Sequence, residues 1–436
     1  MKAEKASSPS RGRHIAGVLV PLLLTLAVVL AAIEVGFRVF YPLIPLEVCA
    51  SDPILTHYYC QPYLVYDKPL RIGYRYRPGY KVEGWWDPAR PTLGYLEQEV
   101  EPSDRSDAFW FTLQVDEMGF PNDTPEWPDQ ADLVIVGDSF VIRTAPKSWI
   151  ELLEEQTGQD AVVLGAPSWS TLNEISAVEE YALDLDPKWV VLMYFEGNDL
   201  FNTAQYIERR ASGLSWREYD FRDVPLYRRS LAWHMGKYWL GKLGARLAPD
   251  PEAAPRYRYP VTASTEAGEI SLVFKDIQLL PMSADYETLA RSDEFAAIKA
   301  GLIELDRRLA DQGARLLVVY VPSKEHVYWS RIWGSEDVNA VLERTVTVTL
   351  SEGDHGALQW EPRYLDWETF NANHNAQERL FEDMARETGI EFLNLTPIFW
   401  SEAIRRGELF NYMDLHWNQA GNQLAADVIE AYLGGR

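Results

Sequence analysis

Between Asp132 and the end of the chain, hydrophobic positions alternate between two textures. Short, nearly unbroken apolar runs at Leu133–Val136, Val162–Leu164, Val190–Phe195, Leu316–Val321 and Phe392–Leu395 are separated by stretches whose apolar residues recur at helical spacing. Successive side chains of a strand point to opposite faces, so an apolar run with no polar alternation describes a strand covered on both sides. The pattern predicts an α/β domain over residues 131–436, with five parallel strands and helices on both faces of the sheet. Trp149-Ile-Glu-Leu-Leu-Glu-Glu and Phe295-Ala-Ala-Ile-Lys-Ala-Gly-Leu-Ile-Glu-Leu are two of those helices. A last helix is expected from Asn418, a good N-cap, to about Leu433. The interval between the third and fourth strands is too long for one crossover, and residues 200–290 read as an insertion of helices followed by short strands.

The N-terminal part has a different texture. Ile15 to Ile33 is an uncharged run of 19 residues, and about 20 residues at 1.5 Å each match the hydrocarbon core of a bilayer. It predicts a transmembrane helix over 15–33. A cleaved signal peptide is the rival reading, although its apolar region is typically about 7–15 residues and a small-x-small cleavage site follows it. Lys2, Lys5, Arg11 and Arg13 precede the run against Glu4 alone, so residues 1–14 are expected in the cytoplasm and everything after about residue 40 outside it. Residues 41–130 are rich in Pro, Tyr and Trp without a long helical period, and read as an irregular, partly β collar. Cys49 and Cys60 fall there. A disulfide is permitted in that compartment, and two unpaired thiols are the alternative.

Composition narrows the function classes. With 41 Lys and Arg against 65 Asp and Glu, the net charge is −24, which repels nucleic acid at long range. Sixteen Trp, 23 Tyr and 16 Phe suit a heavily packed core or a surface that stacks on sugar rings. Gly236-Lys-Tyr-Trp-Leu-Gly241-Lys242-Leu243 has the spacing of a phosphate-binding loop, but Leu243 stands where a magnesium-holding Ser or Thr is needed and no buried strand precedes it. No metal site and no cofactor are expected.

Three predicted strands end in glycine-bearing turns: Gly137-Asp138-Ser139, Val162-Val-Leu-Gly165, and Phe195-Glu-Gly197-Asn198-Asp199. In a parallel sheet these turns converge at the carboxyl edge, where ligands usually bind. A turn there lifts the Ser139 hydroxyl clear of the sheet. The backbone N–H groups of Ser139 and Gly165 and the Asn198 side chain are candidate donors to a developing oxyanion. Each is also an ordinary turn residue. Near the C-terminus, Asp414-Leu-His416-Trp417 stands just before the last helix. An Asp two positions before a His can orient the imidazole through one nitrogen while the other faces a serine hydroxyl. A metal is the competing reading, but a third ligand is wanting: His355 and His374 lie in polar, loop-like stretches. Lys324 and His326, after the fourth strand, are expected in a solvated loop at the same edge, with substrate contact as the alternative.

Taken together, the four blocks resemble the SGNH, or GDSL-type, hydrolase superfamily, over about residues 131–436. The resemblance implies a three-layer α/β/α, flavodoxin-like sandwich. It also implies Ser139 as nucleophile, Ser139, Gly165 and Asn198 around the oxyanion, His416 as general base and Asp414 as its orienting carboxylate. The superfamily's usual Asp three residues before the His is replaced by Met413. Asp-x-His-Trp is instead similar to the membrane-anchored branch of exopolysaccharide, alginate-type O-acetyltransferases, although in those enzymes the dyad precedes the serine. The implied function is an anchored, extracytoplasmic serine esterase or O-acyltransferase acting on acetylated glycans, with polysaccharide-synthesis machinery as a partner. A non-catalytic glycan-binding or assembly protein on the same scaffold is the alternative.

Overall fold

A computed structural model describes residues 11–40, 63–66, 71–88, 108–247, 258–332, 347–350, 357–361 and 366–435, with a few single positions between them. Cys49, Cys60 and His355 lie outside the described residues.

Five parallel strands form the central sheet: β1 (Leu133–Gly137), β2 (Ala161–Gly165), β3 (Trp189–Phe195), β4 (Arg315–Val321) and β5 (Glu391–Asn394), in the spatial order β2-β1-β3-β4-β5. Register is continuous across the middle: Leu133 pairs with Ala161 and with Trp189, and Arg315 with Trp189. The 2-1-3-4-5 order is that of a flavodoxin-like doubly wound sheet, whose winding reverses at β1 and β3. All five expected strands are present within one or two residues.

The helices divide into two layers because the strand residues do. Leu133, Ile135, Val191, Met193, Leu317 and Val319 belong to one buried cluster. It also holds Trp149 and Leu153 of α2 (Trp149–Thr157), Phe399 of α10 (Thr396–Arg406) and Ala425 and Ile429 of α11 (Gln419–Gly434). The alternate residues face the other layer. There Tyr194 and Tyr320 pack on Phe381 of α9 (Ala376–Thr388). The same layer holds α3 (Thr171–Ala177), α4 (Asp199–Ser212) and α7 (Asp293–Asp311). Helix α2 starts sharply because Ser148 and Glu151 form a reciprocal capping box, and α11 starts at Asn418, whose side chain accepts from the Ala420 and Gly421 amides.

The collar carries two antiparallel hairpins, Leu64–Tyr66 with Tyr74–Tyr76 and Lys81–Trp86 with Phe109–Gln114. The insertion holds α4, α5 (Leu231–Leu247), the hairpin Arg258–Thr265 with Gly268–Lys275, and α6 (Asp276–Ser283). A short α8 (Lys324–Tyr328) follows β4 directly. The contacts divide the chain into two units: residues 1–62 with 220–252, and residues 63–219 with 253–436.

In the first unit α1 runs from Arg11 to Val39, six residues past the expected end. An apolar run would stop at Glu34, but Glu34 pairs with Arg38 one turn on, at 2.8 Å, and the helix continues. Leu19–Val39 has a mean hydropathy of 2.4 and is unburied, long and apolar enough to cross a membrane.

Close approach explains the glycines at the sheet edge. A Cβ on Gly165 would collide with the Val141 side chain and stand 2.8 Å from the Gly137 carbonyl oxygen. A Cβ on Gly197 would run into Gln278 of α6 and the Phe195 ring. Gly165→Ala is therefore expected to lower stability by about 1–3 kcal/mol, the usual range for overpacking, with the urea midpoint as the measurement. An unchanged midpoint would show that Val141 moves aside freely.

Candidate active site

Ser139 leaves the carboxyl end of β1 and opens a single 3-10 turn, Ser139–Val141. The preceding Asp138 is fully buried and holds that turn, its Oδ1 accepting from the Phe140 amide at 3.0 Å. The partner arrives from the other end of the chain. Phe410 and Trp417 form an antiparallel bridge, the Asn411 amide donates to the His416 carbonyl at 3.0 Å, and the Asn418 amide to the Leu409 carbonyl at 3.1 Å. Residues 411–416 are thus the tip of a small hairpin, and Asp414 and His416 are on it.

The tip meets the turn. Ser139 Oγ donates to His416 Nε2 at 2.7 Å, and His416 Nδ1 donates to Asp414 Oδ2 at 2.5 Å. The imidazole is walled by aromatic rings, with Phe140 centred 5.1 Å away. Phe140 in turn meets Trp417 edge-on at 4.9 Å, and Trp417 stacks on Phe399 at 5.1 Å. Rings on this side leave the histidine little rotational freedom. Burial alone would raise the Asp414 pKa, but His416 and then Lys275 outweigh it and hold the carboxyl well below the usual range. Asp414 is therefore a carboxylate at any pH near neutral, as a group that orients an imidazole must be.

Asn198 stands at the N-terminus of α4, yet its side chain does not cap that helix. Its Nδ2 donates instead to Asp138 Oδ2 at 3.1 Å, the oxygen that Ser139 Oγ approaches at 3.4 Å. Gly165 pairs with Gly137 at the top of the sheet. The structure thus brings all five sequence-selected residues to one edge: Ser139, Asp414 and His416 in one hydrogen-bonded chain, Asn198 one carboxylate away, and Gly165 on the neighbouring strand.

The sequence places Lys324 and His326 at this edge but in a solvated loop, and passes over Glu196, Lys275 and Glu325. Lys324, Glu325 and His326 are buried, not solvated. Lys324 Nζ donates to three main-chain carbonyls of the tip, Asn411 at 3.2 Å, Tyr412 at 3.1 Å and Asp414 at 2.7 Å. Lys275 Nζ, from the insertion hairpin, lies 3.5 Å from Asp414 Oδ1. Glu196 is the hub beside Asn198. Its carboxylate accepts from Tyr320 Oη at 2.7 Å, the Ser323 amide at 2.7 Å and His326 Nδ1 at 2.9 Å, which ties the turn after β3 to the turn after β4. Polarity alone suggested a loop because the partners that satisfy these groups lie up to 130 positions away. Behind Asp138, burial pushes both Glu174 and Asp199 well above the ordinary carboxyl range, helped by repulsion from Asp138 on Glu174 and from Glu174 and Asp138 on Asp199. Among the described residues no group of His, Cys, Asp and Glu is placed to hold a metal.

No protein-family model matches the chain, and no curated protein matches it. Solved structures do. A GDSL-like lipase from Bacteroides thetaiotaomicron is 9% identical with a TM-score of 0.31, covering 70% of this chain and 87% of its own. A point mutant of an acetyl-xylooligosaccharide esterase from Geobacillus is 12% identical, TM-score 0.33, over 71% and 96%. A lipase/acylhydrolase from Enterococcus faecalis is 10% identical, TM-score 0.30, over 70% and 96%. Likeness at that level carries no weight for the site, whose case is the geometry above.

Lys324→Met keeps length and removes the three donated bonds. It is expected to lower kcat on a small ester about 10–100-fold, as a displacement near 1 Å does, with little change in KM. An unchanged kcat would show that the tip needs no such support. For His326, burial alone would lower the pKa, but Glu196 outweighs it and raises it above 6.5. The same pairing, against burial, holds Glu196 below 4.5. The histidine's contribution to stability is complete below its unfolded pKa and is lost as pH rises through the folded one. That of Glu196 is complete above about 4.5 and fades in acid. Urea midpoints of the wild type should therefore decline as pH rises from 6 to 9. His326→Gln should be less stable at pH 6 and lack that part of the decline. Parallel curves would remove the pair from the account.

Proposed function

We propose that this protein is a serine-dependent ester hydrolase or O-acyltransferase working through an acyl-Ser139 intermediate. The observation that carries the reading is the continuous chain from Ser139 Oγ through His416 to Asp414, at 2.7 and 2.5 Å. In the first half-reaction Ser139 Oγ attacks the ester carbonyl while its proton passes to His416 Nε2, and Asp414 stabilises the imidazolium. The negative charge on the carbonyl oxygen is received by the main-chain N–H groups of Ser139 and Gly165 and by Asn198. Collapse breaks the ester C–O bond, and His416 returns its proton to the departing alcohol. In the second half an acceptor hydroxyl attacks the acyl-serine, His416 takes its proton, and Ser139 leaves with a proton restored. Water as acceptor gives an esterase; a sugar hydroxyl gives an O-acetyltransferase.

Acetylated cell-surface or exopolysaccharide glycans are the proposed substrates. Trp85 and Trp110, directly paired across the collar hairpin, are both exposed, with ring centres 5.9 Å apart. Surface indoles of this kind suit the apolar faces of sugar rings. We further propose that α1 anchors the chain in a membrane with residues 1–14 in the cytoplasm and the remainder outside, beside polysaccharide-synthesis machinery. A nucleic acid is not among the proposed partners, given a net charge of −24.

The test is acetate release from a chromogenic acetyl ester and from acetylated polysaccharide. Ser139→Ala is expected to fall to background and to show no acyl-enzyme by mass spectrometry. Asp414→Asn should fold and lose about 10⁴-fold in kcat. Equal rates for the wild type and Ser139→Ala would discard the catalytic reading. Transfer of the acetyl group to added glycan, against release to water, decides between the two acceptors.

A further inference from the structure

Helix α5 carries an apolar stripe that its own unit leaves uncovered. At 3.6 residues per turn, Trp233, Gly236, Trp239, Leu240 and Leu243 fall within an arc of about 120°. Trp233 is 49% exposed, Trp239 58%, Leu240 71% and Leu243 53%. Lys237 and Lys242 stand on either side of that stripe. The inner face is different: Leu231, His234 and Met235 are buried. Just before the helix, Leu226 and Tyr227 are exposed as well.

The position of this helix relative to α1 is fixed by one carboxylate. Glu34 Oε2 accepts from Ser230 Oγ and from the Ala232 amide, both at 2.9 Å. Arg38, one turn on, donates to the Arg229 carbonyl at 3.3 Å. The two helices pack against each other within their unit. Glu34 stands five residues before the end of the apolar span Leu19–Val39, which is about 7 Å along the helix axis at 1.5 Å per residue. If α1 spans a bilayer about 30 Å thick in its hydrocarbon region, Glu34 lies about 7 Å inside one edge of it, among the upper acyl carbons where interfacial helices seat their apolar faces.

We propose that α5 is a second membrane element, an amphipathic helix seated in the lipid interface beside α1, with its Trp and Leu side chains among the upper acyl carbons and its lysines at the phosphates. This rests on α1 spanning the bilayer. Three features of the helix select a lipid surface as its occupant. It begins on the membrane span itself; it places indoles, which favour the interface, on the apolar stripe; and it sets cations at the stripe's borders.

Tryptophan emission reads this directly, because α1 contains no tryptophan. The full chain is reconstituted in phosphatidylcholine–phosphatidylglycerol vesicles, with or without bromine on the upper acyl carbons. Flotation with the vesicles is scored in parallel. The expected result is partial quenching in brominated vesicles that is largely lost in Trp233→Phe/Trp239→Phe, while both proteins float. A chain that floats with no quenching, or with equal quenching in the double variant, overturns the interfacial helix and leaves the span intact. A chain that does not float overturns both. Far-UV circular dichroism of the variant guards against misfolding. As a second readout, Leu240→Glu should still float but lose much of the quenching, and quenching equal to that of the wild type again counts against the proposal.

Discussion

Ser139 and His416 are 277 positions apart in sequence and 2.7 Å apart in space. The proposed chemistry depends on keeping that distance. One partner is set by the sheet, where the end of β1 can move only with its neighbours. The other rides on a hairpin tip, a less constrained kind of structure. The difference is made up from beneath. A single buried ammonium collects three carbonyls of the tip, and the ring of Trp417 closes it from the side. An ammonium has three protons and no accepting capacity, so three carbonyls use its whole donor set while leaving no buried proton stranded.

Charge is graded across the same edge. Asp414 is kept ionised by His416 and Lys275, and Glu196 by His326. Glu174 and Asp199, behind Asp138, are pushed well above the ordinary carboxyl range, first of all by burial. Carboxyls of similar intrinsic acidity are thus shifted in opposite directions by their surroundings.

Much of this was legible from sequence. Strands covered on both faces leave a signal of unbroken apolar residues; all five were found from such runs, although the edge strand β5 is only partly buried. Gly137-Asp-Ser139, Gly165 and Gly197-Asn198 were legible because parallel topology forces such turns to one edge, and Asp414-Leu-His416 because of its Asp-x-His spacing. The burial of Lys324 was not legible, nor were Glu196 and Lys275 at all, for a physical reason. A buried polar residue is defined by its partners, and these partners lie on other elements. Ser323-Lys-Glu-His326 has the composition of a loop and becomes interior only because the tip of another hairpin is laid over it. That α1 outlasts the apolar run was illegible for the opposite reason, a local one: an ion pair a single turn apart lets a carboxylate stay inside the helix.

The collision that forbids a side chain at Gly197 is with Gln278, a residue of the insertion. Lys275, also of the insertion, reaches Asp414. The segment between β3 and β4 is therefore two things spliced together: residues 220–252 belong to the unit of α1, while the stretch from 253 onward forms part of the wall of the site. Anyone trimming this protein to its second unit should cut inside that segment and not at its ends. Two junctions, near residues 219–220 and 252–253, would remove α5 with its own unit and keep Lys275 and Gln278 beside the site.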